Sequence, residues 1–128
     1  MTKILSVSSA IAMVAGCSFG VVTETRTLQE PPFAVVAMRG NVTDATRCIG
    51  RYWQNAASQL GSFWNVFTDS YQVRVQGPGG GTPPIGLVVD FQDQSGKTVA
   101  FAHVHPMFPS YDPRRTVTLK ALDACKLP

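Results

Sequence analysis

The sequence predicts a small α+β domain, a two-layer sandwich in which an antiparallel sheet of about four strands carries an N-terminal and a C-terminal helix on one face. Three observations predict this class. Short segments rich in β-branched and aromatic residues recur with turn residues between them. Two segments, within residues 41–61 and 111–126, place apolar residues at helical spacing. The whole chain has only 128 residues, which is the size of one small domain.

Composition excludes two broad classes of protein. The formal net charge is +3 and the arginines are scattered, so no basic patch predicts a nucleic-acid partner. Hydrophobic residues make up 45% of the chain and charged residues 15%, which favours a folded core over intrinsic disorder.

The amino-terminal 16 residues have the layout of a cleaved secretory signal peptide. Lys3 supplies the positive charge, residues 4–14 form an apolar segment, and small residues follow. The apolar segment is too short for a permanent membrane-spanning helix. Cleavage after Gly16 would remove one lysine and lower the formal net charge from +3 to +2.

The four residues Val14-Ala15-Gly16-Cys17 resemble the lipobox of bacterial lipoproteins. The resemblance implies that the Cys17 thiol is lipidated, that the chain is cut before it, and that the new amino group is acylated. Ser18, where an aspartate would favour inner-membrane retention, implies transfer to the outer membrane with the domain facing the periplasm. The alternative is an ordinary secretory signal in which Cys17 is an unmodified thiol.

Residues 17–32 are interpreted as a lipidated flexible tether, and residues 33–128 as a small periplasmic domain. The tether segment lacks periodicity, is rich in threonine and ends in Pro31-Pro32. Val21-Val22 could instead add a short strand.

The domain begins with a predicted strand and helix. Residues 33–38 are apolar and favour a strand, and residues 39–41 favour a turn. Asn41 or Thr43 caps a helix that Gly61 ends. The predicted buried stripe of this helix consists of Ala45, Cys48, Ile49, Tyr52, Trp53, Ala56 and Leu60.

Four strand segments follow, at residues 62–68, 71–76, 85–92 and 97–105. For the turn at residues 93–96 we expect a type I turn with a bulge at Gly96, which pairs Phe91 with Val99 and Val89 with Phe101. This register gathers one apolar face from Ile85, Leu87, Val89, Phe91, Val99 and Phe101.

The last segment, residues 111–126, has mixed signals. Thr116 to Leu119 favour a strand, whereas Asp112-Pro113 is typical of a helix start. We predict a helix, because Val117, Ala121, Ala124 and Cys125 recur at helical spacing.

If Cys17 carries lipid, Cys48 and Cys125 remain as a pair in an exported chain. The simplest interpretation is one disulfide that joins the first long helix to the chain terminus. The alternative is two buried free thiols.

Few residues are arranged for chemistry. The two histidines, His103 and His105, are the candidates for metal ligands, and a zinc site would need further ligands. The chain lacks the common hydrolase, metalloprotease and nucleotide-binding motifs, and its only glutamates are Glu24 and Glu30. We therefore predict no enzymatic activity and no cofactor.

Candidates for partner binding lie at the start of the last helix, where Tyr111, Arg114 and Arg115 could meet a protein or anionic headgroups. A solvated surface is the alternative interpretation for the two arginines. Trp53 and Trp64 are expected to be core residues.

The overall layout of residues 42–126 resembles a loose group of short proteobacterial outer-membrane lipoproteins. The resemblance rests on Cys48-Ile49, Trp53, the valine-rich residues 87–91 and Ala124-Cys125. It implies the same location and one disulfide, and it implies no activity.

These observations predict a membrane-anchored periplasmic lipoprotein with a binding or structural role in the cell envelope. Its partners would be the membrane, through the lipid, and a periplasmic or outer-membrane protein. One alternative is an inhibitor of a hydrolase such as lysozyme that presents residues 77–84 as a loop. Another is a metal-binding protein that uses His103 and His105.

Overall fold

A computed structural model describes residues 22–79 and 84–128. The predicted signal peptide and Cys17 lie outside the described residues. The elements in chain order are α1 (Glu24–Gln29), β1 (Ala34–Met38), α2 (Val42–Leu60), β2 (Asn65–Thr68), β3 (Gln72–Gln76), β4 (Ile85–Gln94), β5 (Lys97–Val104) and α3 (Pro113–Cys125).

The sheet is antiparallel and has five strands in the order β1-β5-β4-β3-β2. The α+β prediction is confirmed, with all five predicted strand segments in one sheet rather than about four. After β1, helix α2 connects the first strand to β2 at the opposite edge of the sheet. Strands β2 to β5 then form a meander, and its last strand, β5, pairs with β1. The long helices α2 and α3 pack against each other and against the sheet.

Helix α1 differs from the predicted tether. Thr23 caps the helix by accepting a hydrogen bond from the Arg26 backbone N–H, and Glu24 lies in the first turn. Thr27 is completely buried, and its hydroxyl lies 3.2 Å from the Ile85 carbonyl oxygen on β4. The threonines that suggested a tether therefore cap and anchor a short helix. The expectation of a flexible segment is wrong for residues 24–29.

The β4–β5 hairpin has a different register from the one predicted. Ser95 and Gly96 both have positive φ angles, 56° and 84°, and form a two-residue turn that pairs Gln94 with Lys97. Such turns match the right-handed twist of the flanking strands. Phe91 consequently pairs with Ala100, and the predicted bulge is absent from this described turn.

In the observed register, β5 turns different residues toward the core from those that the predicted register would place there. Val89 pairs with Ala102 rather than with Phe101, and both paired residues are completely buried. Val99 and Phe101 lie on the opposite face, half-buried. The prediction that they belong to the core is wrong, as it is for Ile85, which is also half-buried. Small alanines in the middle of the sheet leave space for the large side chains of the helices.

Helix α2 has the predicted caps but a rotated buried face. Asn41 and Asp44 form a capping box, and Gly61 ends the helix. Its buried residues are Ala45, Thr46, Ile49, Gly50, Trp53 and Ala57. Cys48, predicted to be buried, is exposed. Thr46 and Gly50 carry little hydrophobicity, yet both are buried, and a Cβ atom at Gly50 would lie 2.7 Å from the Thr68 hydroxyl oxygen on β2.

Helix α3 and the predicted disulfide are confirmed. Asp112 caps the helix, and Cys48 and Cys125 are joined with Cα atoms 6.1 Å apart. Beyond the helix the chain pairs with the edge of β1, where the Leu127 N–H donates to the Ala37 carbonyl at 2.9 Å. The disulfide therefore fastens α2 to the segment that covers one edge of the sheet.

We expect the two cysteines to be unequal in a stability measurement. Cys48→Ser should cost about 2–5 kcal/mol of unfolding free energy, because the chain loses its cross-link. Cys125→Ser should cost about 1–2 kcal/mol more, because Cys125 is only 2% exposed and the new hydroxyl is buried in apolar surroundings.

Urea denaturation of the two variants measures the difference, with the reduced wild type as the control that should match Cys48→Ser. Equal stability of the oxidised and reduced wild type would contradict a structural role for the disulfide.

Candidate functional site

A groove lies between α2 and α3, beside the disulfide. Its volume is about 410 Å³. One exposed ridge of α2 supplies most of its lining, and the end of α3 supplies the rest. The lining residues are Asp44, Arg47, Cys48, Arg51, Tyr52, Asn55, Ala124 and Cys125.

The groove contains two arginines one helical turn apart. Arg47 and Arg51 are both exposed, and neither guanidinium group makes a hydrogen bond or an ion pair with any residue that the structure describes. Asp44 also lines the groove, but its carboxylate accepts a hydrogen bond from the Asn41 backbone N–H at 3.3 Å. The groove therefore presents two free guanidinium groups beside an apolar disulfide.

A second depression, of about 520 Å³, lies where α2 ends and β2 begins. It carries no charged side chain among its lining residues, which are Gln54, Ala57, Ser58, Gly61, Ser62, Trp64, Asn65 and Val66. Of these two depressions, the groove between α2 and α3 is the one with charged side chains in its lining.

The two histidines are held by backbone groups. The Nδ1 of His103 lies 2.9 Å from the Glu30 carbonyl oxygen, so this nitrogen is assigned as the donor. The Nδ1 of His105 accepts a hydrogen bond from the Met107 backbone N–H at 3.1 Å. Among the described residues, no three or more histidine, cysteine, aspartate or glutamate side chains are grouped as a metal site. The hydrogen bonds assign these imidazoles a role in holding α1 and the loop after β5.

Arg114, a predicted partner-binding residue, is instead a core residue. Its side chain is 1% exposed. The guanidinium carbon lies 3.7 Å from the ring centroid of Phe108 and 4.7 Å from that of Trp64. The prediction that Arg114 faces a partner is wrong, because two aromatic rings cover the cation.

Asp112 and a backbone carbonyl complete this buried site. Arg114 Nη1 donates to both carboxylate oxygens of Asp112, at 3.0 and 3.1 Å, and Nη2 donates to the Pro78 carbonyl. Burial lowers the pKa of Arg114, and the hydrogen bond and charge of Asp112 act in the opposite direction. The guanidinium stays charged, because arginine does not deprotonate in proteins.

Two glycines make room for the arginine and its rings. A Cβ atom at Gly77 would lie 2.7 Å from the Trp64 ring, and one at Gly86 would lie 2.5 Å from the Phe108 ring. Larger residues at either position would push the aromatic rings away from Arg114. The two glycines therefore allow Trp64, Phe108 and Asp112 to surround the guanidinium group, an arrangement that we call the Arg114 clamp.

The other two partner-binding candidates lie in different surroundings. Tyr111 is 81% exposed and remains available for contacts. Arg115 is half-buried, donates from Nε to the Phe108 carbonyl at 2.8 Å, and lies over the Phe33 ring. The three candidates therefore do not form one surface.

Sequence reasoning missed the groove arginines, although a signal was present. Arg47 and Arg51 have i, i+4 spacing on the polar side of the predicted helix, and the one acidic residue of α2, Asp44, lies three residues before Arg47. Like charges at this spacing destabilise a helix unless another group compensates them.

Comparisons with protein-family models, curated proteins and solved structures found no match. Within residues 22–79 and 84–128, the helices lack the combination of length and apolar character that crossing a membrane requires.

We expect Arg114→Met to lower the unfolding free energy by about 3–5 kcal/mol, because the Asp112 carboxylate loses its charged partner. Arg114→Lys should also destabilise the protein, since a lysine ammonium cannot reproduce the planar fork. Chemical denaturation checks this, with Arg115→Met as the matched control at a cost of about 1 kcal/mol. If the unfolding free energy of Arg114→Met lies within about 1 kcal/mol of the wild-type value, the stabilising role of the Arg114 clamp is contradicted.

We expect the folding stability to depend on pH through His105. Burial, followed by the charge of Arg26, lowers the pKa of His105 below its ordinary value of 6.5, and Glu30 opposes the shift. Below about pH 6.5 the unfolded chain therefore binds more protons than the folded chain, and stability falls as the pH falls.

Melting temperatures at about pH 7.5 and about pH 5.5 measure this dependence. In His105→Asn, whose side-chain oxygen can still accept the Met107 hydrogen bond, the difference between the two pH values should shrink. His103→Gln serves as the control for the second imidazole. An unchanged difference in His105→Asn would assign the pH dependence to other groups.

Proposed function

We propose that this chain is an exported bacterial lipoprotein, anchored to the outer membrane through lipid on Cys17, whose periplasmic domain binds a ligand in the cell envelope and performs no catalysis. The observation that carries the export step is the disulfide between Cys48 and Cys125. Disulfides persist in oxidising compartments such as the periplasm and are rare in the cytosol. The resemblance of residues 14–17 to a lipobox adds the anchor to that location.

The arrangement of the groove supports a binding role. Its lining comes from two helices that are cross-linked by the disulfide and joined by the buried hydrogen bond from Trp53 Nε1 to Thr118 Oγ1, at 3.0 Å. Such a frame holds a surface in one shape before a ligand arrives, which lowers the entropic cost of binding. The side chains exposed in the groove are hydrogen-bond donors and charged groups suited to recognition.

Mass spectrometry of the protein purified from membranes tests the proposal. We expect a mature chain that begins at Cys17 and carries both a diacylglyceryl group and an N-acyl chain, because three acyl chains anchor a protein firmly whereas one does not. Cys17→Ser is the control variant, and it should lose the lipid mass and leave the membrane fraction. A mature chain that begins at another residue without lipid would overturn the anchor.

A further inference from the structure

We propose that the groove between α2 and α3 is a binding site for an oxyanion, the phosphate or carboxylate group of an organic ligand. This inference rests on the binding role proposed above and is independent of the lipid on Cys17. It combines an unbalanced charge, the geometry of the donors and the shape of the groove.

The charge of the groove differs from that around most other described arginines. Four arginines, Arg26, Arg74, Arg114 and Arg115, contact an acidic side chain, a carbonyl oxygen or an aromatic ring. Arg47 and Arg51 share one groove and have no such contact among the described residues. Their mutual repulsion destabilises α2, and an anion held between them would remove it.

The donors suit an oxyanion. A guanidinium presents its N–H groups in a planar fork that matches the two oxygens of a carboxylate or phosphate. Two forks one helical turn apart can approach the same anionic group from two sides. Asp44 also lines the groove and makes no ion pair with a described residue, so the two arginines and this one carboxylate leave the groove with a formal charge of +1.

The rest of the groove suits the organic part of a ligand. Tyr52 offers a half-buried ring, and Ala124 and the disulfide add apolar surface. Asn55 supplies an exposed amide at one end. The volume of about 410 Å³ is in the lower part of the range for small-molecule sites, so the groove holds one head group and a short body.

Two sources can supply such an anion, a soluble metabolite or a membrane lipid. Nuclear magnetic resonance of the full-length protein distinguishes them with four probes: inorganic phosphate, citrate, phosphatidylglycerol vesicles and phosphatidylcholine vesicles. Backbone amides of residues 44–55 and 124–125 report on the groove.

The double variant Arg47→Gln/Arg51→Gln removes both groove charges. Lys97→Gln/Lys120→Gln is the matched control, because it removes two exposed positive charges outside the groove. We expect probe-induced shifts confined to the groove, binding at least about tenfold weaker in the arginine variant, and a change below about twofold in the control.

Each outcome is decisive. A response to phosphate or citrate supports the site with a soluble ligand, and a response only to phosphatidylglycerol vesicles supports it with a lipid phosphate. Equal weakening in both double variants would reduce the effect to general charge attraction and overturn the proposal, as would the absence of shifts with all probes. If Cys17 carries lipid but no probe shifts the groove amides, the oxyanion site is overturned and the proposed lipid anchor still stands.

Discussion

The structure depends on one buried positive charge. Arg114 lies in the first turn of α3 and contacts the Trp64 ring before β2, the Pro78 carbonyl after β3 and the Phe108 ring after β5. Removing a cation from water is costly, so the arginine is tolerated only because a carboxylate, a carbonyl and two rings surround it. That requirement fixes where three connecting segments meet the helix.

The disulfide fastens the opposite end of the same helix. Arg114 joins the beginning of α3 to the segments before β2 and after β3, and Cys125 joins its end to α2. The hydrogen bond between Trp53 and Thr118 joins the two helices between these points. The groove beside the disulfide therefore has walls whose separation is set by covalent and buried polar contacts, which is the property that a small recognition site needs.

Much of the fold follows from patterns that are local in sequence. Alternating strands, the asparagine cap of α2 and the Asp112-Pro113 helix start all express short-range preferences, and the structure contains each of them. The paired cysteines were predictable because an exported chain rarely leaves two thiols free.

The remaining features depend on long-range packing. Arg114 and Thr118 belong to the buried face of α3, although hydrophobicity assigns both to the surface. Thr46 and Gly50 rotate the buried face of α2 in the same way and leave Cys48 exposed. Arg47 and Arg51 lack an ion-pair partner among the described residues because the fold brings no acidic side chain within ion-pair distance of either guanidinium, although Asp44 lines the same groove.

A double-mutant cycle between Trp64→Leu and Arg114→Met tests most directly whether the buried cation joins α3 to the segment before the edge strand β2. The four unfolding free energies should show a coupling of about 1 kcal/mol or more, because each variant alone already destroys the stacked contact. Additive effects, within about 0.3–0.5 kcal/mol, would show that Trp64 and Arg114 stabilise the protein independently and would contradict a structural role for their contact.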